Sequence, residues 1–237
     1  MLEYDEAKGI MTWKIVYYGP ALSGKTTNLL ALHDLISQAR RGEMMQADTK
    51  DDRTLFFDLL PLAYRTPSGA KLKIKVFTVP GQVQYNATRK SVLMRADGIV
   101  FVADSQKSQT LHNSESFANL EDNAFQAGLL FDAMPLVVQF NKRDLSPQII
   151  AGEKEILARW KSSNVPLFFA SALHGAGVME TFSAVVSGVC RFMDQQFQIS
   201  ERLGIQADDL IAYLSGNDRD SGAPESAGIA EKERSIA

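Results

Sequence analysis

Short apolar runs alternate with longer amphipathic stretches along this chain. The run Trp13-Lys14-Ile15-Val16-Tyr17-Tyr18 is rich in β-formers and predicts a strand near 13–18. Thr27-Asn28-Leu29-Leu30-Ala31-Leu32 follows, inside a predicted helix near 25–40. Residues 41–54 are polar and predict a long loop. Two strands are expected near 55–65 and 71–79, joined by the hairpin-type residues Thr66-Pro67-Ser68-Gly69-Ala70. The second places Lys71, Lys73 and Lys75 on one face and Leu72, Ile74 and Val76 on the other, the pattern of a half-exposed strand. Helices near 84–95, 110–130, 147–162 and 175–197 then alternate with apolar strands at Gly98–Ala103, Pro135–Phe140 and Pro166–Ala170. Strands that are apolar throughout are covered on both faces. The pattern therefore predicts an α/β fold: a mostly parallel central sheet with one antiparallel edge strand and helices on both faces.

Beyond Gln198 the periodicity weakens. Asp208–Leu214 has the spacing of a short amphipathic helix, and residues 216–237 have the composition of a disordered segment. The expected division is a domain over 1–198 and an acidic, partly disordered tail over 199–237. From Glu201 onward the chain carries eight acidic and four basic side chains, a net −4 against −3 for the whole. The body is thus close to neutral, and no nucleic-acid partner is expected. No apolar run reaches the roughly 18 residues of a membrane span. The first residues lack a signal-peptide pattern, and the last lack a lipidation cysteine, so a cytoplasmic protein without a direct membrane anchor is expected. The single cysteine, Cys190, excludes an internal disulfide and lies among apolar neighbours that predict a buried thiol.

Gly19-Pro20-Ala21-Leu22-Ser23-Gly24-Lys25-Thr26 fits the phosphate-loop pattern G-x-x-x-x-G-K-[ST] between a predicted strand and a predicted helix. Glycines let backbone N–H groups come close to a polyphosphate, and the helix start turns its positive end toward the anion. Gly19, Ala21, Leu22, Ser23, Gly24, Lys25, Thr26 and Thr27 are the phosphate-binding candidates. Lys25 reaches β/γ oxygens, and the Thr26 hydroxyl is a ligand for Mg²⁺. In the polar loop, Thr49 and Thr54 are candidates for a second hydroxyl ligand; Thr54 is preferred because it immediately precedes the next strand.

Asn141-Lys142-Arg143-Asp144 follows a buried strand. Asp144 can accept two N–H bonds from guanine, which adenine does not offer. The Lys142 stem can cover the base, and Asn141 opens the motif. Ser171-Ala172-Leu173, after the next strand, matches a loop that backs the base with N–H groups. Pro80-Gly81-Gln82 follows the strand ending at Val79: Gly81 can present its N–H to a γ-phosphate and Gln82 can orient the attacking water. Arg53, beside Thr54, reads equally well as a solvated loop arginine or as a group neutralising transition-state charge.

Taken together, Tyr17-Tyr18-Gly19-Pro20, Gly24–Leu29, Asp52–Asp58, Thr78-Val79-Pro80-Gly81-Gln82 and Asn141–Asp144 resemble the MglA family of bacterial Ras-like small GTPases, over about residues 10–195. Thr78 is telling, since most small GTPases carry an Asp there. The resemblance implies a P-loop small G-protein fold and a switch that hydrolyses GTP to GDP and phosphate with Mg²⁺, slowly without an activator. It implies that Arg53 is a catalytic arginine supplied within the chain and that Gln82 orients water. The partners it implies are a roadblock-domain, MglB-like activating protein and effectors of cell polarity and gliding motility, with recruitment to a cell pole. It also implies a nucleotide-linked shift of the edge strand and both switch loops. Ala21 departs from the glycine usual there; its methyl group crowds Gln82 or Arg53 and is expected to slow hydrolysis. The competing readings are a GTP-binding scaffold that does not turn over, because of Ala21, and an ATP-using P-loop enzyme, against which Asn141–Asp144 argues.

Overall fold

A computed structural model of the chain describes residues 3–5, 7–47 and 57–217. Its strands are β1 (Glu3–Asp5), β2 (Ile10–Tyr18), β3 (Met45–Ala47), β4 (Phe57–Arg65), β5 (Lys71–Thr78), β6 (Gly98–Asp104), β7 (Leu136–Asn141) and β8 (Leu167–Phe169). The helices are α1 (Lys25–Leu35), α2 (Asn86–Leu93), α3 (Thr110–Gln126), α4 (Glu153–Trp160), α5 (Val178–Phe197), α6 (Ile199–Leu203) and α7 (Ala207–Ser215). One sheet runs β3-β4-β5-β2-β6-β7-β8, with β1 beside β2. The pairs β5-β2, β2-β6, β6-β7 and β7-β8 are parallel, and β4 is antiparallel to β5. The parallel centre and the antiparallel β4 follow the sequence pattern. The structure adds two three-residue antiparallel strands, β1 and β3, and it is β3 that takes the edge position. Strands so short have too few residues to show an alternation.

Each sheet face carries its own apolar core. On one, Leu29 and Leu32 of α1 and Phe182, Val185 and Val189 of α5 pack on Trp13, Ile15, Ile74 and Val76. On the other, Val92 and Leu93 of α2, Leu120 of α3 and Ile156 of α4 pack on Val16, Ile99, Phe101 and Val138. β6 runs between both cores and is buried along its whole length, as its unbroken apolar sequence requires. β5 alternates half-exposed and buried, with its lysines on the open face. Cys190 is buried in the first core, and burial pushes its thiol up to about 11, so it has the packing role of a small apolar residue.

Residues 199–217, which the sequence pattern assigns to the tail, pack on the body. The expected amphipathic helix is α7; Leu210 and Leu214 are buried in the α1/α5 core. Tyr213 packs edge-on against Tyr64 of β4, with ring centroids 5.1 Å apart, and the Arg40 guanidinium lies over the Tyr213 ring. The remainder of the tail, residues 218–237, lies outside the described residues.

Candidate functional site: the carboxyl edge of the sheet

All five parallel strands end on the same edge, where ligands bind in open α/β sheets. β2 runs into the loop Gly19–Gly24, β5 into Val79-Pro80-Gly81, β7 into Lys142–Asp144 and β8 into Ser171–Leu173. The sequence candidates within the described residues therefore gather at one place. Arg53 and Thr54, together with Thr49, lie outside the described residues.

The phosphate loop is built so that its amides stay available. Gly24 opens α1 at φ 95°, a left-handed conformation costly for other residues, and a Cβ there would overlap the Asn141 side-chain amide. The first turn of α1 has no side-chain cap and no acidic residue, so its free N–H groups and positive end are left for an anion. Leu22 also stands at positive φ (61°) and points its side chain outward, 88% exposed. Ser23 is fully buried in the loop, and Thr27 sits half-buried in the first turn of α1.

Lys25 is buried, and its Nζ donates to the carbonyl oxygens of Gly19 (3.0 Å) and Pro20 (2.7 Å), arching over its own loop. Burial pushes its pKa down to about 7; the nearby Arg89 charge adds to this and Asp58 opposes it. A polyphosphate placed there supplies the missing negative charge. Thr26 is exposed, and its hydroxyl donates to Asp58 Oδ2 at 2.6 Å. A threonine hydroxyl beside a carboxylate is a hard-oxygen donor set that fits Mg²⁺, which takes one or two protein ligands and fills the rest of its shell with phosphates and water.

The base-side loops are tied together by one buried amide. Asn141 Nδ2 donates to the Ser23 carbonyl and its Oδ1 accepts the Ala172 N–H, both at 2.9 Å. That side chain joins the loops after β2, β7 and β8. Ser171 Oγ donates to Asp144 Oδ1 at 2.5 Å, which orients an exposed carboxylate whose other oxygen carries no hydrogen bond among the described residues. Lys142, at φ 68°, holds its ammonium 2.6 Å from Asp104 Oδ2, so its tip is fixed. Ala172 is buried, whereas Leu173 is 71% exposed and contributes backbone rather than packing.

On the phosphate side, Gly81 lies so close to the loop that a Cβ on it would overlap the backbone of Ala21. Gln82 is exposed, and its Oε1 accepts a hydrogen bond from Gln84 Nε2 at 2.9 Å. The turn before it is clamped by a residue the sequence reading passed over. Arg89, 2% exposed on α2, donates from Nε to the Pro80 carbonyl (2.9 Å), from Nη2 to the Gly81 carbonyl and from Nη1 to Asn119 Oδ1 (2.7 Å). Asn119 in turn accepts the Tyr18 hydroxyl at 2.6 Å. Asn28 and Gln139 were also passed over: Asn28 Nδ2 donates to the Gly24 carbonyl and its Oδ1 accepts from Gln139 Nε2, both at 2.9 Å, which pins the start of α1 to β7. Asp58 is a third. It appears in the sequence only as the last residue of a family-like segment. A polar residue inside an apolar pattern is the signal common to Asn28 and Gln139; Arg89 and Asp58 have none without the fold.

The Ras family model matches residues 48–191, a span that begins after the phosphate loop and takes in Pro80-Gly81-Gln82 and the loops after β7 and β8. Over 172 residues the chain is 44% identical to the mutual gliding-motility protein MglA of Myxococcus xanthus (strain DK1622), covering 73% of this chain and 87% of that protein. With this edge-of-sheet geometry and these two matches, the chain belongs to the Ras family of small GTPases and is of the MglA-like type.

Proposed function

We propose that this protein is a guanine-nucleotide switch that binds GTP–Mg²⁺, hydrolyses it to GDP and phosphate, and signals through nucleotide-dependent partner binding in cell polarity or motility. The observation that carries the reading is the Asn141 amide, which locks a phosphate loop and a guanine-type base loop into one rigid frame. Within it, Lys25 exchanges its loop carbonyls for phosphate oxygens. The Asp144 carboxylate, acceptor-only, takes guanine N–H donors and has nothing equivalent to take from adenine. Thr26 and Thr54 would hold Mg²⁺, which would supply positive charge against the polyphosphate. Gln82 leaves Gln84 to orient water, and Arg53 supplies cationic charge to the transition state. The relative's motility role supports the cellular assignment, and an MglB-like roadblock protein is the proposed activator.

The test is calorimetric titration of the purified chain with GDP and a non-hydrolysable GTP analogue, with ADP as competitor, followed by phosphate release with and without a roadblock-domain protein. Nanomolar to micromolar guanine-nucleotide binding that ADP does not displace is the expected result. Equal competition by ADP returns the chain to the ATP-using reading. Tight binding without phosphate release, even with the activator, leaves the non-hydrolysing scaffold.

A further inference from the structure

The metal site of a P-loop NTPase uses the loop Ser/Thr and an acid from a neighbouring strand. The end of β5 runs Thr78-Val79-Pro80-Gly81 and offers no acid. The carboxylate nearest the loop hydroxyl comes instead from β4. We propose that Asp58 is the acid of the Mg²⁺ site, a positioning residue that replaces a carboxylate at position 78; this rests on the reading that the chain binds guanine nucleotide with Mg²⁺.

Three hydrogen bonds carry the inference. A hydroxyl that binds a cation through its oxygen must send its proton to an acceptor, and Thr26 Oγ1 donates to Asp58 Oδ2 at 2.6 Å. The same carboxylate oxygen accepts Thr78 Oγ1–H at 2.9 Å. Thr78 Oγ1 in turn accepts the Asp58 backbone N–H at 2.9 Å. Thr78 is 3% exposed, so the carboxylate is gripped from a buried side through both its backbone and its side chain. Asp58 Oδ1 carries no hydrogen bond among the described residues, which leaves it for a water on the metal. Thr78 is then the hydroxyl that holds the displaced carboxylate, and the pair Asp58–Thr78 does from two strands what one acid does from one. The register fits this division: Leu59 stands opposite Phe77, so the next step along β4 brings Asp58 to Thr78. The nearby positive charges, Lys25 and Arg89, are both engaged with backbone carbonyls rather than with this carboxylate.

The alternative is that Asp58 only staples β4 to β5 and α1. The two differ in what magnesium does. The full chain is loaded with a fluorescent GDP, and the release rate is followed against buffered free Mg²⁺. In Asp58→Asn the Mg²⁺ concentration that half-maximally slows release rises by about 10–100-fold, the usual loss for an outer-shell carboxylate. Release in excess EDTA stays within about threefold of the parent, because the phosphate and base contacts remain. Adding Thr78→Asp to Asp58→Asn returns a carboxylate from β5 and brings the midpoint most of the way back. Thr78→Val, which loosens Asp58 without removing charge, moves the midpoint the same way by roughly threefold to tenfold and serves if Asp58→Asn does not fold. A midpoint unchanged in Asp58→Asn or Thr78→Val, or one shifted to lower Mg²⁺, overturns the proposal. Failure of the parent chain to hold GDP at all, with or without Mg²⁺, overturns the guanine-nucleotide reading itself.

Discussion

The base end and the phosphate end of the carboxyl edge are built on different principles. At the base end every functional side chain is already engaged with the frame that holds it: Asn141 with Ser23 and Ala172, Asp144 with Ser171, Lys142 with Asp104. These residues follow β7 and β8, parallel strands braced by the helices around them. At the phosphate end the candidate groups are engaged with one another and with nearby loop groups instead. Lys25 holds its own loop's carbonyls, Thr26 is on Asp58, and Gln82 is on Gln84. On the proposed function, the pre-organised base end gives specificity and the phosphate end exchanges partners, as a group that reports the terminal phosphate must.

That contrast can be broken most sharply at Asp144. Asp144→Ala removes the acceptor on which guanine choice depends, and the preference for GDP over ADP collapses by roughly 10⁴-fold, the scale of selectivity a hydrogen-bonding site confers; competition against a fluorescent guanine nucleotide measures it. A retained preference means that the base end reads guanine by another group. At the phosphate end, Lys25→Ala leaves buried phosphate charge unpaired and weakens GTP binding by about 3–5 kcal/mol, roughly a hundredfold to a few thousandfold, in calorimetry. Base selectivity among the nucleotides that still bind should be untouched, since the two ends are separately built.

Asn141 joins the ends, so its loss falls on the frame. Asn141→Ala strands a buried carbonyl and a buried N–H, costing about 2–4 kcal/mol of stability, or roughly 5–12 °C in the thermal midpoint of the nucleotide-free protein. A shift under a degree or two shows that water replaces the amide. The smallest effect belongs to Ala21, whose backbone faces Gly81. Ala21→Gly removes the methyl group expected to crowd Gln82 or Arg53 and raises single-turnover GTP hydrolysis, with activator present, by about threefold to tenfold, a fraction of what ångström-scale misplacement can cost. Equal rates for the two proteins remove Ala21 from the account of turnover.

The parallel strands and their helices were legible because burial on both faces writes an unbroken apolar run, as at Gly98–Ala103, and because helix periodicity survives over many turns, as in α5. The phosphate loop was legible because its glycines and lysine fall within one short segment, Gly19–Lys25. β1 and β3 were not, being three residues each and defined by pairing alone. Helix ends moved for a similar reason: α4 begins at Glu153, after a turn held by the Ala151 N–H on the Ser105 carbonyl, where composition alone suggested 147.

Local order along the chain determined the strand–loop–helix cradle, the guanine-type motif and the alternation that makes an α/β sheet, since each depends on residues a few positions apart. The meeting of Asp58 with Thr26 and Thr78, the Arg89 clamp on the turn at Gly81, the Asn141 tie across three loops and the docking of α7 were decided by tertiary structure. Those contacts join residues from 8 to more than 100 positions apart, and their geometry exists only once strand order and register have placed the chain segments side by side.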